Sequence, residues 1–175
     1  SAGAYDVNKS VLISTTDPRK SNSGAMYAAL ASYVLNGNAV VSDRAQIVRI
    51  QPRLNGLFLR QGYEESSSSG PFDDYVQIGM GKAPLVMIYE SQFIEYALAH
   101  PKDRNPDMVL LYPRPTTYTK HAFVPITDRG DKLGQLLSSN ETLQHLAVEH
   151  GFRIQDGAYT RDFFSKNNVK VPAQL

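Results

Sequence analysis

The sequence predicts an α/β domain: an open mixed sheet flanked by helices, with extra helices at the C-terminal end. Three observations carry this expectation. Short apolar runs at residues 11–13, 85–89, 108–112 and 122–126 have the length and composition of buried or edge strands. Segments with apolar residues three and four positions apart follow several of them, which is the pattern of amphipathic helices. This strand, loop, helix alternation occupies the first two thirds of the chain, and helical pattern alone fills the rest. In open sheets of this class, ligands bind beyond the carboxyl ends of strands, near helix N-termini.

In chain order, Val11-Leu12-Ile13 reads as a buried strand that ends in the polar loop Ser14-Thr15-Thr16-Asp17-Pro18. After Ser21-Asn22-Ser23-Gly24, the stripe Met26, Leu30, Tyr33 and Val34 predicts a helix, with Gly37 placed for a left-handed C-terminal cap. Ala39-Val40-Val41 is either a short strand or the packed lead into the next helix. Ser42 is the expected N-cap of that helix, which carries Ile47, Val48 and Ile50 until Pro52 stops or kinks it; Leu54, Leu57 and Phe58 continue as a second piece. Residues 64–71 form a Ser-rich, Gly-Pro-terminated stretch that reads as a mobile surface loop, with the charges of Asp73 and Asp74 also in a loop.

Leu85-Val86-Met87-Ile88-Tyr89 predicts a second buried strand, and Glu90-Ser91-Gln92 opens a helix with Phe93, Ile94, Ala97 and Leu98 on one face, closed before Pro101. Met108-Val109-Leu110-Leu111-Tyr112 predicts a third strand leading into a stiff Pro-rich segment. Ala122-Phe123-Val124-Pro125-Ile126 predicts another, with Pro125 marking an edge or a strand end. A helix from about Asp128 carries Leu133, Leu136 and Leu137. Ser138-Ser139-Asn140-Glu141 reads as a capping box with Ser138 as N-cap of the next helix, which ends at Gly151. Thr160 caps a last short helix bearing Phe163 and Phe164.

Bulk properties narrow the function. The 175 residues carry a formal net charge of +1 and no run of four basic residues, so nothing points to nucleic acid or an anionic membrane. The absence of cysteine excludes disulfides, thiolate metal sites and a cysteine nucleophile. No apolar stretch is long enough to span a bilayer. Ser1-Ala2-Gly3-Ala4 reads as a vector-derived remnant.

The richest constellation is Thr15-Thr16-Asp17 through Ser21-Asn22-Ser23-Gly24. A strand delivers the chain into a loop of hydroxyls and amides, and a helix starts there. Its unpaired N–H groups and positive dipole end favour an anion or a polar acceptor. Gly24 lets a ligand approach the backbone. Ser21 or Ser23 either caps the helix or contacts a ligand. Tyr89-Glu90-Ser91-Gln92 repeats the arrangement, with Glu90 suited to a cationic or hydroxyl-bearing partner or to the helix dipole, and Ser91 as a cap. Tyr112 either offers an aromatic wall and a hydroxyl or is an ordinary half-buried tyrosine at a strand end. Other motifs fail. Gly79-Met80-Gly81-Lys82 lacks phosphate-loop spacing, and His145 and His150, five positions apart, make a poor metal pair. His100 and His121 are isolated, and no nucleophile elbow exists. Neither a metal nor a cofactor is expected.

Residues 11–18 followed by Ser21-Asn22-Ser23-Gly24 resemble the opening of the second lobe of type 2 periplasmic (extracellular) solute-binding proteins of bacterial ABC transporters; so do residues 84–92. Residues 109–113, 121–126 and the ending from Leu143 through Arg153 resemble the return and C-terminal helices of that family. The likeness runs from Val11 to Ile154. It implies a periplasmic-binding-protein-like domain over residues 5–175: a second lobe over about 8–115, then a C-terminal helical part over about 120–165 that packs on an absent first lobe. It also implies an extracytoplasmic, non-catalytic module that captures a small polar solute, such as an oxyanion, for uptake or sensing. The cleft residues carried over are Thr16, Ser21, Asn22, Ser23, Gly24, Tyr89, Glu90 and Tyr112. Expected partners are the solute, a membrane permease or other domains of the same chain, and a second copy docked on the bare lobe face. The alternatives are the effector domain of a transcription regulator and a cell-surface interaction domain built on a binding-protein lobe.

Overall fold

Helices dominate the fold, and the expected open sheet is absent among the described residues. The computed structural model describes residues 12–61, 64–79 and 83–172. Its elements run β1 (Ile13–Ser14), α1 (Asn22–Leu35), α2 (Arg44–Leu59), α3 (Ser69–Ile78), β2 (Leu85–Val86), α4 (Glu90–Ala99), α5 (Asp128–Ser139), α6 (Glu141–Glu149) and α7 (Gly157–Lys166). The chain divides into two compact units, Ser1–Ile88 with Arg114–Thr117, and Tyr89–Pro113 with Tyr118–Leu175.

In the first unit, β1 and β2 pair in parallel, Ile13 opposite Leu85 and Ser14 opposite Val86. The Met87 N–H donates to Ser14 O at 2.8 Å and carries the pairing one step further. This two-stranded sheet replaces the periplasmic-binding-protein-like lobe that the sequence predicts. The reason lies in pairing. An apolar, branched run is suited to a pleated surface, but it becomes a strand only beside a partner. Residues 108–112 and 122–126 have no ladder among the described residues, and Val109, Leu111, Val124 and Ile126 stand exposed. Pro113, Pro115 and Pro125 remove donors that a ladder would use. Ala39-Val40-Val41 is irregular and mostly exposed as well. Val11 and the residues Met80, Gly81 and Lys82, like the terminal Ser1 to Ala4, lie outside the described residues.

α1 packs against α2, with Tyr27 edge-on to Phe58 at 5.6 Å. α1 ends as expected. Gly37 adopts φ +75° and donates to Val34 O, while the Asn38 N–H reaches Tyr33 O, a Schellman closure. α2 is capped by Asp43, not by Ser42: Asp43 Oδ1 accepts the Gln46 N–H at 2.8 Å. It runs through Pro52 without a break. Pro52 and Val48 are both exposed, so the Val48 carbonyl that loses its ladder partner faces water. The Ser-rich stretch expected as a loop instead turns into α3 at Ser69, and Asp73 and Asp74 are helical. Pro71 sits in the first turn of α3, where its missing N–H has no ladder acceptor to lose.

In the second unit, Phe93, Ile94 and Ala97 of α4, Val148 of α6, and Phe164 and Val169 at the end of α7 are buried. Gly151 holds this core together: it adopts φ +81°, and a Cβ there would lie 2.5 Å from Ser91 O. Both the left-handed turn and the close approach to α4 require glycine. Three expected caps shift. α5 continues through Ser139, with the Ser138 and Ser139 hydroxyls donating back to Gln135 O, and Asn140 caps α6 by accepting the Leu143 N–H at 3.1 Å. Asp156 caps α7 by accepting the Ala158 and Tyr159 N–H groups, each at 3.0 Å. Thr160 is inside that helix, buried, and donates to Asp156 O. Ser91 lies within α4 rather than capping it.

Candidate functional site

The loop between β1 and α1 builds the first candidate site. Its backbone is pinned on both sides: the Thr15 N–H donates to Gln61 Oε1 at 2.7 Å and the Asp17 N–H to Glu65 O at 2.9 Å. Asp17 O then accepts the N–H groups of Lys20 and Ser21, with Pro18 pre-set for the turn. The turn sets Ser21 at the N-cap position of α1 with extended backbone, φ −128° and ψ 135°. α1 lies against the loop so closely that a Cβ on Gly24 would sit 2.4 Å from Thr16 O. Gly24 therefore serves the approach of the chain to itself.

Three hydroxyls meet here. Thr16 Oγ1 donates to Ser21 Oγ at 2.8 Å, Ser21 Oγ and Ser23 Oγ are 2.8 Å apart, and Ser23 Oγ is 2.9 Å from Thr16 Oγ1. A hydroxyl has one proton and two lone pairs. The triangle closes as a ring in which each oxygen donates once and accepts once, leaving one acceptor position on each. Thr16 is 1% exposed and Ser23 7%, so the ring meets solvent at Ser21. The Ser21 side chain makes no cap hydrogen bond to the first turn of α1, although it stands at the cap position. Asn22 occupies the first helical position and is exposed. Thr15 Oγ1 is buried without a hydrogen-bond partner among the described residues.

The charges of the loop are paired locally. Asp17 is 3% exposed, and its carboxylate takes the Arg19 N–H and Nε at 2.9 Å on Oδ1 and Arg19 Nη2 at 2.8 Å on Oδ2. Hydrogen bonds from the Arg19 side chain and backbone hold the Asp17 carboxyl down at about 2, against the opposing effect of burial. Burial, and then the Asp17 charge, raises Glu64 above its usual range. Lys20 Nζ stands 4.0 Å from Asp17 and adds a second positive charge beside the start of α1.

The second cluster belongs to the other unit. Glu90 opens α4, where a carboxylate favours the positive helix end. Arg153 grips it with Nε on Oε2 at 2.8 Å and Nη2 on Oε1 at 2.7 Å, and Nη2 also donates to Pro172 O at 2.8 Å. The Tyr112 hydroxyl donates to Glu90 Oε1. Burial raises the Tyr112 pKa first, reinforced by its bond to Glu90 and the Glu90 charge and opposed by Arg153. The Arg153 pKa is raised chiefly by its hydrogen bonds to Glu90. Tyr89 caps α4 through its backbone, donating to Gln92 Oε1 at 3.1 Å.

The expected site residues thus fall into two groups. Thr16, Ser21, Ser23 and Gly24 come together, with Asn22 beside them; Glu90 and Tyr112 form another cluster, with Tyr89 next to it. The cation that Glu90 was expected to attract is Arg153 of the same chain. Sequence reasoning had no means to find it, because Arg153 stands 63 positions from Glu90 in a segment with no motif of its own. His145 stacks on Tyr159 and lies 3.7 Å from Glu141, while His150 pairs with Glu95 at 2.8 Å. Among the described residues no three His, Asp or Glu side chains converge as metal ligands. No described helix is long and apolar enough to cross a membrane. Comparison with protein-family models, curated proteins and solved structures finds no match to this chain. Function has to be read from the chain's own geometry.

Proposed function

We propose that the loop from Thr15 to Gly24 captures a small polar solute, an oxyanion, and that the chain acts by binding it for uptake or sensing. One observation carries this reading: the hydroxyl at the N-cap of α1 bonds to the hydroxyls of Thr16 and Ser23 in a ring and to no first-turn N–H. An ordinary cap would spend that oxygen on a first-turn N–H. Here the Ser21 hydroxyl takes none of the first-turn amides, and the ring protons are shared among the three hydroxyls themselves. Rotation of Ser21 and Ser23 redirects their protons outward to a ligand oxygen, and the positive end of α1 favours a negative charge there. Ring hydroxyls are paired with one another, and a serine nucleophile needs a base at that position, which favours binding over catalysis.

The test is calorimetric titration of the full chain with inorganic phosphate, sulfate and molybdate, and with glucose and glycine as uncharged and zwitterionic comparisons. One oxyanion should bind, and Ser21→Ala and Ser23→Ala should each weaken it by about tenfold, the worth of one good hydrogen bond to a charged group. Ser21 is part-exposed, so its substitution leaves the core intact and keeps the result interpretable. Absence of binding by every oxyanion, or binding that the Ser21→Ala, Ser23→Ala double variant leaves unchanged, overturns the proposal.

A further inference from the structure

The end of α7 builds a second concavity, in the other unit and independent of the hydroxyl loop. Asn168 takes φ +56°, its N–H reaches Ser165 O, and the Val169 N–H reaches Phe164 O at 2.9 Å. This is a Schellman closure with asparagine in the left-handed position, and its usual apolar contact is present: Phe164 and Val169 are both buried. The closure turns the chain back along α7. Between the helix and the returning segment 169–172 lies a groove of about 610 Å³.

The groove's lining is unbalanced in charge. Ile154 and Val171 give it part-exposed apolar surface over the buried Phe164 and Val169, and Arg153, Arg161 and Lys170 stand around it, with no carboxylate among the described lining residues. Arg153 already has its counter-charge in Glu90. Arg161 and Lys170 make no ion pair among the described residues. Arg161 folds back toward Gly157 instead, where a Cβ would lie 3.6 Å from its Nη1. Two cations thus line a groove of a size that suits a small molecule.

We propose that this groove binds a small carboxylate with an apolar body, its carboxyl toward Arg161 and Lys170 and its chain along Ile154 and Val171. A planar guanidinium matches a carboxylate in two parallel hydrogen bonds, and an unpaired cation beside an apolar surface gains most from a ligand that covers both.

The experiment is titration of the full chain with octanoate, and with octanamide as its uncharged counterpart. Octanoate should bind with a Kd on the order of 0.1 mM, a modest efficiency for a ligand of that size. Octanamide should bind about tenfold more weakly or worse, and the Arg161→Gln, Lys170→Gln double variant should lose a similar factor for octanoate alone. Both substituted side chains are exposed, so the thermal midpoint without ligand should stay where it is. Equal affinity for octanoate and octanamide, an unaffected double variant, or no binding up to about 10 mM overturns the proposal. Ser21→Ala should leave octanoate binding as it is, which separates this groove from the oxyanion loop.

Discussion

Two glycine-to-alanine substitutions should move stability in opposite directions, and the distances say by how much. A Cβ on Gly24 would lie 2.4 Å from Thr16 O and 2.9 Å from both Asp17 C and Pro18 N, all backbone atoms. A comfortable carbon–oxygen contact is about 3.3 Å, so loop and helix must part by roughly 1 Å. The loop resists, because Thr15 and Asp17 are bonded to Gln61 and Glu65. Overpacking of this kind costs about 1–3 kcal/mol, and the helix propensity gained by alanine returns less than about 1 kcal/mol in a first turn. The net loss is about 1–2 kcal/mol. The same displacement lengthens the Thr16–Ser23 contact from 2.9 Å to nearly 4 Å, beyond hydrogen-bonding range, so the hydroxyl ring opens. Gly56 is the control. It lies inside α2 with nothing within 4 Å of where a Cβ would go, so alanine there stabilises by about 0.5–1 kcal/mol. Urea unfolding followed by circular dichroism reads both, and with a slope near 2 kcal/mol/M the midpoints should separate by about 1 M. A Gly24→Ala midpoint at or above that of the parent chain would refute the close approach on which the site is built.

Two further predictions concern charge. Asp17 has its carboxyl held at about 2 against an ordinary 3.8, so folding disfavours its protonation. Its contribution is complete above the ordinary value and is lost as pH falls toward the folded one. The difference in urea midpoint between the parent chain and Asp17→Asn should therefore shrink between about pH 5 and about pH 2; an unchanged difference would mean that the Arg19 fork is not formed. For the Glu90–Arg153 pair, whose side chains are 19% and 29% exposed, a double-mutant cycle with Glu90→Gln and Arg153→Met should give a coupling of about 1–3 kcal/mol. Additive effects within about 0.5 kcal/mol would show that the pair contributes nothing beyond its two members.

What was legible in the sequence is what local chemistry decides. The start of α1 within the Ser21–Gly24 stretch, its closure at Gly37, the span of α4 and the glycine stop at residue 151 all rest on residues within one or two turns of each other. Caps were legible in kind and not in place. Ser138 and Asn140 are both competent, and the choice falls to Asn140 because the α5 ladder runs on through Ser139. The same holds for Asp156 over Thr160. The sheet was not legible. Residues 108–112 and 122–126 have the composition of strands, but composition says nothing of a partner, and pairing is a long-range event.

The hydroxyl loop shows where the two kinds of information meet. The sequence offers Ser21 and Ser23 at a helix start and leaves open whether they cap it or contact a ligand. A cap is a local event, and had the Ser21 hydroxyl accepted a first-turn N–H, nothing further would need explaining. Instead the ring depends on Thr16, which arrives from β1 and is buried by the approach of Gly24. That approach in turn depends on the turn at Pro18 and on Glu65, nearly fifty residues on. Long-range packing has overruled the local preference at a place where three hydroxyls meet. A hydroxyl withheld from its cap costs about 1 kcal/mol of helix stability. The two ring bonds at Ser21 hold its hydroxyl out of the cap, and a ligand that offers oxygens in their place would release it.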